Sequence, residues 1–185
     1  MDDLHIPAAR GPLLPFEGKL PAIHPDAWVA PTAVVIGDVE IGAESSVWYH
    51  CVLRGDTNIM RIGARTNIQD GSILHLNAGA EPLIIGDEVT IGHACIVHAC
   101  TLKDRAFVGM GATVLDRAVI EEGGMLGAGG LLPPGKRIGP NELWMGNPAK
   151  LVRVMDAAER ARFDRTAANY VELSKRHRAS LVQQR

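Results

Sequence analysis

Apolar residues recur at every sixth position along most of the chain. Val29, Val35, Ile41, Val47 and Leu53 keep a strict step of six. Ile62, Ile68 and Leu74 resume it after a step of nine, and Ile85, Ile91 and Val97 after a step of eleven. A step of five then leads to Leu102, from which Val108, Val114, Ile120, Leu126, Leu132, Ile138 and Trp144 follow at six. Four places after most of these stands a small or slim residue, among them Ala33, Ser45, Cys51, Thr66, Ser72, Cys95 and Ala112. A period of six fits neither a helix of about 3.6 residues per turn nor an alternating strand. It predicts short strands joined by tight turns, three to a coil, with the apolar residue inward and the small residue in a cramped corner. Such coils bury a core only against one another, so many are needed, and nineteen apolar steps supply them.

The pattern divides the chain. Residues 24–150 are expected to form an all-β solenoid, a β-helix of hexapeptide repeats. Within it, residues 54–61 add about three residues beyond the six-step, and 76–84 form an irregular connection. Loops that leave a rigid scaffold commonly carry function. After Leu132 the repeat decays, with Pro133, Pro134, Lys136 and Glu142 in places held earlier by small residues. Asp156-Ala157-Ala158-Glu159 then reads as a capping-box-like helix start. Phe163, Ala167, Tyr170, Val171, Ser174 and Leu181 follow at helical spacing. Residues 156–182 are therefore expected as one amphipathic α-helix, packed on the β-helix or on a neighbouring subunit. Residues 1–23, with Pro7, Pro12, Pro15 and Pro21, read as an extended N-terminal arm.

Composition narrows the picture. Aromatic residues make up only 4% of the 185, against 20 glycines, so the core is built from small and β-branched side chains. A net charge of −2 gives no support for nucleic-acid capture. No apolar run is long enough to span a bilayer, and Met1-Asp2-Asp3-Leu4-His5 lacks a secretory pattern. Cys51, Cys95 and Cys100 form no CxxC pair, which places the chain in a reducing cytoplasm.

Three of the seven histidines stand at marked places in the repeat. His75 follows Leu74 by one position, His98 follows Val97 by one, and His93 follows Ile91 by two. With the apolar residues inward, these imidazoles lie on the prism surface. Three imidazoles can hold a metal ion and leave one coordination position for water. His93 and His98, five residues apart, are separated by up to ~17 Å of extended chain. The economical arrangement is a site between subunits, with His75 and His98 from one chain and His93 from another, repeated in a closed cyclic trimer. His5, His24, His50 and His177 read as surface histidines without a role. Cys51 and Cys95, at the small inward places, read as buried packing, and Cys100 fits packing or metal ligation.

The stretches Leu53-Arg54-Gly55-Asp56, Asn67-Ile68-Gln69-Asp70-Gly71-Ser72-Ile73-Leu74-His75 and Gly92-His93-Ala94-Cys95-Ile96-Val97-His98 resemble the γ-class carbonic anhydrase family. The resemblance covers roughly residues 12–182. It implies a left-handed β-helix, a homotrimer and metal-dependent hydration of CO2 to bicarbonate. It also implies a metal held by His75, His93 and His98 across the subunit interface; three imidazoles suit Zn2+, with Fe2+ or Co2+ as alternatives. By the same resemblance Gln69 hydrogen-bonds the water or substrate with Asn67 close by, and Arg54 and Asp56 pair at the subunit interface. Two features depart from the family's founding pattern. Thr57 stands where that pattern has an acidic residue, and the short 76–84 connection, with Glu81 its single acid, replaces a long acidic loop. Tyr170, on the terminal helix, is the remaining candidate to reach the site.

Two other functions compete. Many hexapeptide-repeat proteins transfer acyl groups from coenzyme A, and Gly146-Asn147-Pro148-Ala149-Lys150 resembles their closing motif. Some relatives serve as accessory or scaffold proteins, and metal binding is compatible with that role too.

Overall fold

The computed structural model describes residues 10–79 and 81–183. Among these are twenty strands, most of two or three residues, and all but the last wind into a left-handed parallel β-helix of about seven turns. One helix, Ala157–Gln183, follows it. Three ladders of inward residues run along the prism. The first face stacks Leu13, Val35, Leu53, Leu74, Val97, Val114 and Leu132. The second stacks Ile23, Ile41, Ile62, Ile85, Leu102, Ile120 and Ile138. The third stacks Val29, Val47, Ile68, Ile91, Val108, Leu126 and Trp144. Away from the ends these side chains are fully buried, which is why the step of six tolerates so little polarity.

The small residues at the corners do more than save space. Ser45 Oγ donates to the Gly63 carbonyl and accepts from Thr66 N. Thr66 Oγ1 donates to Gly86 O at 2.8 Å and accepts from Val89 N at 3.0 Å. Ser72 Oγ likewise joins Gly92 O and Cys95 N. Each hydroxyl thus satisfies a carbonyl and an amide of the next coil, in corners where those backbone groups are out of reach of water. Tight corners also force left-handed backbone. Ala94, with φ of 57°, adopts it directly after His93, where Gly71 and Gly111 do the same in the adjoining coils.

The breaks in the repeat are now explicable. Strands Val34–Ile41 and Val52–Ile62 run side by side, with Gly37 opposite Gly55 and Val39 opposite Met60. One residue on the first is matched by four on the second, so the bulge adds three, 56–59 against Asp38. Thr57 Oγ1 donates to Leu76 O at 2.7 Å and ties this bulge to the irregular connection after His75.

At the N-terminal end, Leu13–Leu14 and Ala22–Ile23 pair in parallel with Val34–Ile41. Part of the segment expected as an extended arm therefore forms the first rungs of two ladders, while residues 1–9 lie outside the described residues. At the other end, Ala149–Val154 turns back antiparallel on Glu142–Gly146.

The terminal helix covers the third face. Its first turn is capped by Asp156, whose Oδ1 accepts from Glu159 N at 2.8 Å. The Glu159 side chain turns instead to Arg153. Buried Arg160 donates to the carbonyls of Gly123 and Arg105 and to Asp164. Further along, Phe163 meets Phe107, Tyr170 meets Trp48, and His177 Nδ1 lies 3.0 Å from Tyr49 Oη. No helix among the described residues is long and apolar enough to cross a membrane.

Candidate metal centre

Arg54, His75 and His98 occupy successive rungs of the first face, each one place beyond a buried ladder residue and so directed outward. His75 Nδ1 lies 3.2 Å from His98 Nε2. Asp56, in the bulge, accepts from Arg54 Nη1 through Oδ2 and sets Oδ1 3.3 Å from His75 Nε2. Asp116, one coil further on, places Oδ2 3.1 Å from His98 Nδ1. The repeat brings these five side chains together because it returns to the same face every three strands.

The hydrogen bonds of this group do not close by themselves. If Asp116 takes the proton of His98 Nδ1, His98 Nε2 is a bare lone pair. His75 must then donate from Nδ1, which leaves its Nε2 lone pair facing a carboxylate oxygen. His75 Nε2 and Asp56 Oδ1 are indeed both buried without a hydrogen-bond partner. Burial, and then the Arg54 charge, lower the His75 pKa, so protonating the ring is a poor remedy. A cation between His75 Nδ1 and His98 Nε2 resolves every conflict, because His75 can then carry its proton on Nε2 and donate to Asp56. The spacing agrees: two nitrogens bound to one tetrahedral ion stand roughly 3.3–3.4 Å apart. The residues present therefore fit a divalent metal. Burial pushes the Asp56 pKa up, but the Arg54 hydrogen bond and charge, with a backbone hydrogen bond and the His75 ring, together hold it below the usual carboxylate value, which suits it to the role.

His93 stands elsewhere, at the corner where the third face turns into the first. Its Nδ1 is 2.9 Å from Asp70 Oδ2. Gln69 and Asn67 are buried beside it: Gln69 Nε2 donates to Asn67 Oδ1 at 2.9 Å, and Asn67 Nδ2 donates to Thr90 Oγ1 at 3.0 Å. Gln69, His93 and Tyr170 line one cavity of about 400 Å3, otherwise walled mainly by Phe107, Met110, Met125 and Phe163. Burial, and then the Asp70 charge, raise the Tyr170 pKa, which keeps its hydroxyl protonated. The candidate residues thus fall into two groups, one around His75 and His98 and one around His93. Among the described residues, no single chain gathers three or more acidic, histidine or cysteine side chains in an arrangement able to hold a metal.

Asp70 and Asp116 were not singled out from sequence as partners of the histidines. Both stand two places after a ladder residue, Ile68 and Val114, as His93 stands after Ile91, so position in the repeat was the available signal. With Asp56 they give each of the three histidines its own carboxylate. The cysteines take no part. All three are free and buried, and burial raises the pKa of Cys51 to about 12, of Cys95 to about 11 and of Cys100 further.

Fold and site together define a hexapeptide-repeat β-helix protein with carboxylate-backed histidines on its outer surface. The chain is 48% identical over 166 residues to gamma carbonic anhydrase 1, mitochondrial, of Arabidopsis thaliana, covering 87% of this chain and 60% of that relative. It is 46% identical over 173 residues to the carbonic anhydrase of Geobacillus kaustophilus, covering 94% of each. Among solved structures, a hexapeptide transferase family protein from Anaplasma phagocytophilum superposes with a TM-score of 0.84 at 49% identity, over 88% of this chain and 96% of that one. No family model matches. The chain belongs to the γ-class carbonic anhydrase family, and it spans about 60% of the length of the Arabidopsis mitochondrial relatives.

Proposed function

We propose that the protein catalyses the reversible hydration of CO2 to bicarbonate, at a metal held by His75 and His98 of one subunit and His93 of the next in a homotrimer. The observation that carries this reading is the His75 Nδ1 to His98 Nε2 pair at 3.2 Å, each ring backed by a carboxylate, in a chain with several curated relatives named carbonic anhydrases. Two facing nitrogens need a third, and His93, 44% exposed at a corner, is free to supply it to a neighbour. Zn2+ suits three imidazoles, and Fe2+ and Co2+ suit them as well.

A divalent cation supplies Lewis acidity, which makes water a nucleophile near neutral pH. The chain's own residues supply the rest. Gln69 spends one amide hydrogen on Asn67, which fixes its orientation and leaves its carbonyl oxygen to accept from the attacking group. Its second amide hydrogen can donate to an oxygen of bicarbonate. The apolar walls at Phe107, Met110 and Phe163 offer CO2 an apolar surface beside His93. Tyr170, kept protonated, offers a hydroxyl through which a proton leaves the site by way of water. Arg54, half-exposed and bound to Asp56, locks the register between subunits. Three free, buried thiols suit a reducing cytoplasm.

Acyl transfer from coenzyme A is the second reading, and the Anaplasma structure's name, a hexapeptide transferase family protein, is compatible with it. It gives no purpose to three histidines each paired with a carboxylate. One experiment separates the two. Metal content and CO2 hydration, followed by stopped-flow with a pH indicator, are measured for the native protein and for His93→Ala. The expected result is about one ion per chain, with metal and hydration both lost in the variant. No metal after anaerobic purification and reconstitution, or thiol release from acetyl-coenzyme A, would sink the reading.

A further inference from the structure

We propose that Asp116 is a positioning residue that fixes the tautomer of His98 and so presents Nε2 of that ring as a metal ligand. The inference rests on the metal site proposed above and adds a residue that no motif of that site contains. Asp116 lies outside the three stretches that carry the family resemblance, 18 residues beyond His98 in sequence and one coil further along the prism. Its Oδ2 is 3.1 Å from His98 Nδ1. A carboxylate there accepts the Nδ1 proton and leaves Nε2, the atom that faces His75, as a lone pair.

The carboxylate is well anchored for this. On either side of it the backbone is held to the adjacent coils, Leu115 N by Leu132 O at 3.1 Å and Arg117 N by Ala99 O at 2.7 Å. The Asp116 carbonyl itself accepts from Gly135 N at 2.8 Å. These bonds fix the Asp116 main chain beside the coil that carries His98, and the carboxylate itself is held there by its contact with His98 Nδ1. Without it, the Nδ1 and Nε2 protonated forms of His98 lie close in energy, and a proton on Nε2 would point at His75 Nδ1 and block the ion. Asp116 is one-third exposed, so its removal costs the apoprotein little. Its effect belongs to the metal.

The test uses the full chain with Co2+ as probe, whose visible absorption reports ligand geometry. Wild type, Asp116→Ala and Asp116→Asn are compared by competition against a chromophoric chelator and by thermal melting of the metal-free proteins. Asp116→Ala is expected to weaken Co2+ binding by about 10–100-fold and to alter its spectrum, with the apoprotein melt unchanged. Asp116→Asn, whose amide oxygen accepts the same hydrogen bond without charge, is expected to fall between. Wild-type affinity and spectrum in Asp116→Ala would overturn the proposal and leave the three-histidine site standing. If that variant fails to fold, Asp116→Leu, close in size and unable to accept the Nδ1 proton, takes its place, and wild-type affinity and spectrum there overturn the proposal. Wild-type protein that takes up no Co2+ overturns the metal site and this inference together.

Discussion

At the residue scale, the solenoid depends on side chains too small to be noticed in a hydrophobicity count. Thr66 is the clearest case. It is buried at a corner, its hydroxyl donating to Gly86 O and accepting from Val89 N. Thr66→Val keeps the shape and removes both bonds, stranding a carbonyl and an amide. The expected loss is about 1–3 kcal/mol for each group left unpaired. That corresponds to a fall in melting temperature of roughly 2–4 °C per kcal/mol in a chain of this size. A melt within one degree of wild type would show that water reaches the corner and that the hydroxyl is only filling space. The histidines follow the same logic in reverse. Asp70 and Asp116 look like ordinary surface acids in the sequence, and Asp56 reads there as a partner of Arg54; the stacking of coils reveals that each of the three faces an imidazole.

At the scale of elements, the terminal helix is held to the third face by a buried guanidinium as well as by its apolar stripe. Arg160 reaches the Gly123 and Arg105 carbonyls, 37 and 55 residues away in sequence, while Asp164 balances its charge. Arg160→Ala is expected to strand both carbonyls, at about 1–3 kcal/mol each. Amide exchange across 157–183 should rise while the β-helix core stays protected, because coils beyond the contact are stabilised by their own neighbours. Uniform exchange through helix and prism would mean that they unfold as one unit. The helix was legible from its capping aspartate and its spacing, and the three ladders from the step of six. What was not legible was where the ladders begin and end. Leu13 lies ten residues before Ile23 across Pro15 and Pro21, and Ile23, although one step of six before Val29, reads together with that proline-rich chain as an arm; the two pair with Val35 and Ile41. The hairpin of 142–154 escaped for a related reason: Trp144 keeps the step of six, but its strand pairs antiparallel with the chain that follows. Periodicity reports which residues face inward. It carries no information about the edges, where pairing changes partner.

At the scale of the whole molecule, the proposed site makes metal binding and association one equilibrium. If the ligands come from two chains, the ion binds the assembly and not the separated subunit, so each strengthens the other by the same free energy. The first face supplies the means to separate them. Ile73 and Ile96, stacked in register and two residues before His75 and His98, are 47% and 45% exposed in the single chain. Large apolar side chains flanking a polar cluster on an open face mark a surface that another surface covers. Ile96→Glu leaves the isolated fold intact, since the side chain points to solvent there, and buries an unpaired charge in any trimer, a cost of several kcal/mol. Light scattering after size exclusion should give three times 19.8 kDa for the wild-type protein and one times that mass for the variant. The variant should retain wild-type far-ultraviolet dichroism and carry no metal at concentrations that saturate the wild type. Chelation should push the wild-type protein the same way, towards the smaller species. A variant that is monomeric yet keeps its metal at full affinity would put all three ligands within one chain, and the division of His93 from His75 and His98 between subunits would be wrong.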